Sequence, residues 1–235
     1  MLVAAAVCPC PPLLLPDLAG GAAHELDAVR ASCFDAVGVL AAARPDRLVV
    51  LGPADRDDRG VFPGGSRGSF AGFGLDLEVA LGTGPGGERA LPASLSVAAW
   101  LLDRTHWGSA PVEGLGVGTG LPPERCAEAG RELAGEGERM ALLVMGDGSA
   151  RRSEKAPGHF DEQAGVFDAD VAHALGTADT AALAALDVSL AENLMVSGRA
   201  CWQVLAGAGE RAGLRGRLLH NSAPYGVGYL VASWS

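Results

Sequence analysis

Apolar positions along the chain follow two periods, and the alternation between them predicts the elements. Leu2–Val7 is a short apolar run of the kind shown by a strand buried on both faces, as is Arg47–Leu51 behind its leading arginine. Met140–Met145 is the clearest such run. Between the first two, Ala22–Ala43 places Leu26, Val29, Cys33, Val37 and Leu40 at steps of three and four, one apolar stripe on a helix with His24, Glu25, Asp27 and Arg30 off it. The β-α-β order predicts a parallel sheet.

Further along, strands are expected at Leu75–Ala80, Val112–Val117, Arg217–Asn221 and Gly228–Trp234. Helices are expected at Ser94–Asp103, at Pro122–Glu136 with proline at its start, and over Asp161–Leu175, Ala178–Leu186 and Leu190–Ala208. The prolines of Cys8–Pro12 end the first strand. Gly52–Gly74 and Gly146–His159 read as polar loops, and an unstructured stretch as long as the first is usually functional or mobile. With no internal repeat and no linker, residues 1–235 read as a single α/β domain with a mainly parallel central sheet flanked by helices.

Composition narrows the function classes. The 235 residues carry 18 Lys and Arg against 28 Asp and Glu, a net charge of −10, and 17 of the 18 cations are Arg. The negative field and the absence of a basic run longer than Arg151-Arg152 argue against nucleic-acid binding. No apolar stretch approaches the roughly 18 residues of a membrane helix. The apolar amino terminus has no preceding positive charge, so it reads as a strand rather than a signal peptide. Five cysteines without a pairing pattern suit a reducing compartment, and a cytoplasmic location is expected.

In open α/β sheets ligands sit beyond the carboxyl ends of the strands, which directs attention to Cys8/Cys10, Ala54-Asp55, Asp147-Gly148-Ser149 and Ser222–Gly228. Cys8, Cys10 and His24 could begin a zinc site, but no second ligand pair follows at zinc-site spacing. Gly82–Gly87 satisfies G-x-G-x-x-G literally, yet Pro85 and Pro92 deny it the helix that a phosphate loop requires. No G-x-S-x-G elbow is present. His159, on a polar loop beside Asp161 and Glu162, is the histidine best placed to act as an acid or base.

Four segments together resemble one family. Cys8-Pro-Cys-Pro-Pro-Leu-Leu-Leu-Pro-Asp17 is similar to the S-P-H-P-P-L-L-x-P-E opening of class III extradiol dioxygenase catalytic subunits (LigB-like) and Memo-like proteins. Pro45–Pro53 looks like that family's P-D-x-x-V-V-x-x-P-H strand, Met145–Ala150 resembles S-D-L-S-H, and Ser197–Leu205 resembles C-G-R-x-P-I-x-V-L. The resemblance implies a LigB-like α/β fold, with two histidines and a carboxylate holding Fe(II) and a further histidine acting as base in the opening of a catechol ring. Carried across, the first ligand histidine falls on Cys10, the second on Ala54, the third ligand region on Ser197–Ala200 and the base on Ala150. All four positions have changed, while Asp147, Ser149 and the Gly198-Arg199 pair remain.

The leading expectation is therefore a metal-free pocket protein or enzyme for a small organic ligand, with no cofactor and no metal ligands. Cys10, Ala54, Asp55, Ser149, Ala150, Arg151, Ser197 and Tyr225 are expected to line its pocket, and Asp147 and His159 to be its catalytic groups. Arg151 would pair an anionic substrate and Asp147 would orient the loop. One alternative is a ring-opening dioxygenase using displaced ligands (His24, Asp55, Asp57 or Glu192) around Fe(II) or zinc. Another is a Memo-like interaction scaffold, with Ser222–Gly228 and Trp234 as surface for forming a homo-oligomer.

Overall fold

The computed structural model describes residues 1–135 and 137–235. In chain order the elements are β1 (Leu2–Cys8), α1 (Pro16–Ala19), α2 (Asp27–Ala42), β2 (Arg47–Ala54), β3 (Gly60–Phe62), β4 (Arg67–Ser69), β5 (Glu78–Ala80), α3 (Ala93–Arg104) and β6 (Val112–Gly118). They continue with α4 (Pro123–Leu133), β7 (Met140–Met145), α5 (Glu162–Thr177), α6 (Thr180–Ala184), α7 (Val188–Asn193), α8 (Arg199–Gly209), β8 (Gly216–Ser222) and β9 (Tyr229–Trp234). Seven strands form one sheet in the order β3-β6-β2-β7-β1-β9-β8, and β4 pairs with β5 apart from it.

The four central strands β6, β2, β7 and β1 are parallel, as the β-α-β reading expects, and antiparallel strands border them on both sides. Every side chain of Met140–Met145 is buried, and successive residues feed opposite cores. Ala141, Leu143 and Met145 join the layer of α2 and α3, while Met140, Leu142 and Val144 join that of α5 and α8. This two-sided burial is why the strand reads as an unbroken apolar run.

The predicted stripe of α2 is buried at all five positions, but the helix begins at Asp27 because Gly20–Leu26 winds as a 3₁₀ helix. Arg30, placed off the stripe by periodicity, is 6% exposed and pairs with Asp27. Strand β2 runs three residues beyond the predicted Leu51. Its pairing with β7 stops at Leu51, and only β6 continues alongside, so the missing N–H of Pro53 falls where no ladder needs it. The rest of the predicted Gly52–Gly74 loop contains β3 and β4. Helix α4 matches the expected Pro122–Glu136 through Leu133, and Glu136 lies outside the described residues.

The expected helix Leu190–Ala208 is two helices. Met195 takes a left-handed φ of +56°, and Gly198 lies so close to Gly146 that a Cβ on Gly146 would stand 2.4 Å from its Cα. Periodicity sees the apolar face of both helices but not this crossing of the loop after β7. Trp234 is core, 1% exposed, with its indole N–H donated to the Leu175 carbonyl at 2.7 Å. Among the described residues no helix is long and apolar enough to cross a membrane.

Candidate functional site

The chain leaves β1 toward α2 on one face of the sheet and leaves β7 toward α5 on the other, although β1 and β7 are neighbours. Loops that part in this way open a crevice beyond the carboxyl ends of the strands. A cavity of about 320 Å³ lies there, its lining drawn from the loop after β1 (Cys10), the end of β2 (Ala54, Asp55 and Asp58), the loop after β6 (Thr119), the loop after β7 (Asp147) and the turn before α8 (Ser197). Ser94 of α3 closes one side and donates its hydroxyl to the Pro53 carbonyl at 2.7 Å.

Asp147 is the most constrained of these groups. Its amide N–H donates to Ser197 Oγ at 2.9 Å, and its carbonyl accepts from the Gly198 N–H at 3.0 Å. Its Oδ1 accepts from the Cys10 N–H at 2.8 Å, while Oδ2 stands 4.0 Å from the Cys10 thiol. Burial pushes the carboxyl up to about 6 against the opposing pull of the Cys10 N–H. The Cys10 thiol is pushed well above its ordinary value, first by burial and then by the carboxylate beside it, so it stays protonated at neutral pH. Tyr229 is raised by the same two causes. Asp55 and Asp58 add negative charge, and among the described lining residues there is no Lys, Arg or His.

The loop carrying Asp147 is held from below by a buried carboxylate that sequence reading missed. Asp168 of α5 is fully buried, accepts the Ser149 N–H at 2.8 Å and pairs with Arg152 Nη1 at 2.8 Å. A Cβ at Gly148 or Gly228 would meet its carboxylate at 2.7 and 2.2 Å, so the loop after β7 and the connection from β8 to β9 both press on it only because those residues are glycine. Its signal was present in the sequence: Asp168 falls on the apolar stripe Ala164, Val171, Leu175, a charge at a core position. Across the crevice, Arg89 pins the segment bearing Asp55 and Asp58 by donating to the carbonyls of Asp57, Arg59 and Val61.

Of the residues expected to form the pocket, Cys10, Ala54, Asp55 and Ser197 line this cavity with Asp147. The other five lie elsewhere. His159 is exposed, in a left-handed conformation (φ +58°), because Gly158 N–H to the Ala150 carbonyl and Asp161 N–H to the Arg151 carbonyl close residues 150–161 into a turn of their own. Ser149 is fully buried and donates its hydroxyl to the Leu194 carbonyl. Ala150 donates its N–H to the same carbonyl, outside the lining. Arg151 donates to the Asn193 carbonyl and faces Asp161 at 3.6 Å, so protein rather than substrate occupies it. Tyr225 reaches toward Glu25, near Arg30, over the start of α2. Asp58 and Thr119 were not anticipated, although Thr119 lies two residues past the predicted strand Val112–Val117 and obeys the carboxyl-end rule.

Among the described residues no three His, Cys, Asp or Glu side chains converge as a metal-binding group. The donors present fit Fe(II) poorly: Ala54 carries no ligand atom, and Cys10 holds its proton.

The chain matches no protein-family model and no curated protein. Among solved structures it is similar to that of an uncharacterized protein, JW3007, from Escherichia coli K12, with a TM-score of 0.56 over 99% of this chain and 100% of that one. At 15% identity the likeness extends to the fold and no further.

Proposed function

We propose that the crevice beyond β1, β2 and β7 is a metal-free binding site for a small organic ligand, in a divergent relative of the class III extradiol dioxygenase fold, with Asp147 as its acid/base group. One observation carries the reading. Three regions in which the resemblance would put metal ligands, at Cys10, Ala54 and Ser197, line a single cavity with Asp147. A carboxyl that titrates near pH 6 inside a partly enclosed cavity can donate a proton to a ligand hydroxyl or carbonyl, or take one from it, close to neutrality. The neutral Cys10 thiol and the hydroxyls of Ser94, Ser197 and Thr119 supply polar contacts without further charge.

The test is a thermal-shift screen of phenol, catechol and related neutral aromatics with chelator present, followed by oxygen uptake after Fe(II) loading under reducing conditions. Stabilisation that persists in chelator and is lost in Asp147→Ala supports the proposal. Stoichiometric iron with catechol-dependent oxygen uptake overturns it in favour of ring opening through displaced ligands such as Asp55 and Glu192.

A further inference from the structure

Arg199 opens helix α8 and is 1% exposed. Its Nη1 donates to the Leu121 carbonyl at 2.6 Å and to Gln203 Oε1 at 2.8 Å, and its Nη2 donates to the Thr119 carbonyl. All three acceptors are neutral. A guanidinium has five N–H groups, so one on Nε and one on Nη2 meet no acceptor among the described residues. Arg30, Arg47, Arg151 and Arg152 each face a carboxylate, whereas Arg199 faces none among the described residues. Its charge acts on the thiols of Cys126 and Cys201, both raised by burial, Cys126 to about 11, and so uncharged. A buried cation served only by neutral dipoles leaves its desolvation largely uncompensated.

This side chain lines a second cavity, of about 330 Å³, with Thr119, Glu192, Met195 and Ser197. Thr119 and Ser197 also line the cavity of Asp147, so the two compartments adjoin across those side chains. The N-cap of α8 is Gly198, which offers no side-chain oxygen to the free amides of the first turn. The compartments differ in charge: Asp55, Asp58 and Asp147 surround one, while the other has Arg199 at its wall and one exposed carboxylate, Glu192, on its lining.

We propose that the Arg199 compartment is an anion subsite, which takes the carboxylate of a small organic acid whose uncharged portion passes Thr119 and Ser197 to reach Asp147. The inference rests on reading the cleft as a small-molecule site. The two N–H groups without acceptors receive the carboxylate, the exposed Met195 side chain gives an adaptable apolar wall, and the three aspartates prevent the ligand from binding the other way round.

Calorimetric titration and thermal shift with benzoate and its neutral isostere benzamide test it. Benzoate is expected to bind about tenfold tighter than benzamide and to weaken with added salt. Glu192→Gln, an exposed change, should tighten benzoate about three- to tenfold and leave benzamide unmoved. Arg199→Lys should keep part of the preference and Arg199→Gln none, with circular dichroism confirming the fold of each. If phenol and benzamide bind but benzoate binds no better, and Glu192→Gln changes nothing, the anion subsite is wrong and the small-molecule site stands. If none of the three binds the wild-type protein, both readings fall.

Discussion

Replacing Asp147 by asparagine should make the protein more stable, and only above a definite pH. The folded protein holds the Asp147 proton more tightly than the unfolded chain does, about 6 against 3.8. The ionised native state is therefore penalised above pH 6, and the penalty fades as pH falls toward 3.8. A shift of that size corresponds to about 3 kcal/mol at most. The cavity leaves the carboxyl partly exposed, and an amide would bring a donor toward the Cys10 thiol, so about 1–3 kcal/mol is the expected gain at pH 8. Urea unfolding of wild type and Asp147→Asn from pH 4 to 8 measures it, since both share Asp168 and every other titrating group. The stability difference should be near zero at pH 4, rise between pH 4 and 6.5, and level off above. A flat difference, or a variant less stable at pH 8 than wild type, would refute the account of a carboxylate held in an unfavourable place for its chemistry.

Asp168→Ala leaves the Ser149 N–H and Arg152 without their buried acceptor and should cost about 3–5 kcal/mol by denaturant unfolding. Gly228→Ala drives a methyl into that same carboxylate and should cost about 1–3 kcal/mol, with a combined loss smaller than the sum when it is joined to Asp168→Ala, because the obstacle is then gone. Under native conditions an alkylating reagent should label Cys10 alone, since the other four cysteines are 0% exposed. That labelling should be slower than for a free thiol at pH 7 and quicken with pH, a pattern that peptide mapping by mass spectrometry will follow.

The sheet was legible in the sequence because strands buried on two faces must be apolar throughout, and the runs Leu2–Val7 and Met140–Met145 could be little else. What local pattern could not carry was distance. The antiparallel flanks, the break at Gly198 and the burial of Arg30 each depend on a partner far along the chain or on a hydrogen bond to a carbonyl. The site divides in the same way. Ser197, inside the expected helix Leu190–Ala208, came from the family resemblance alone, while the carboxyl-end rule located Cys10, Ala54, Asp55 and Asp147, which sit at the ends of predicted strands or next to them. It misplaced His159, Arg151 and Tyr225, because a long loop closes on its own backbone in a manner that no residue count reveals.

The wall of the Asp147 compartment is drawn from six separate stretches of polypeptide, from Cys10 to Ser197, and no one of them touches more than a side of it. Such a chamber exists only while the four parallel strands are assembled. A molecule that occupies it thus holds together segments as far apart in the chain as Cys10 and Ser197, and protection against protease at remote sites would report occupancy as faithfully as any probe placed inside.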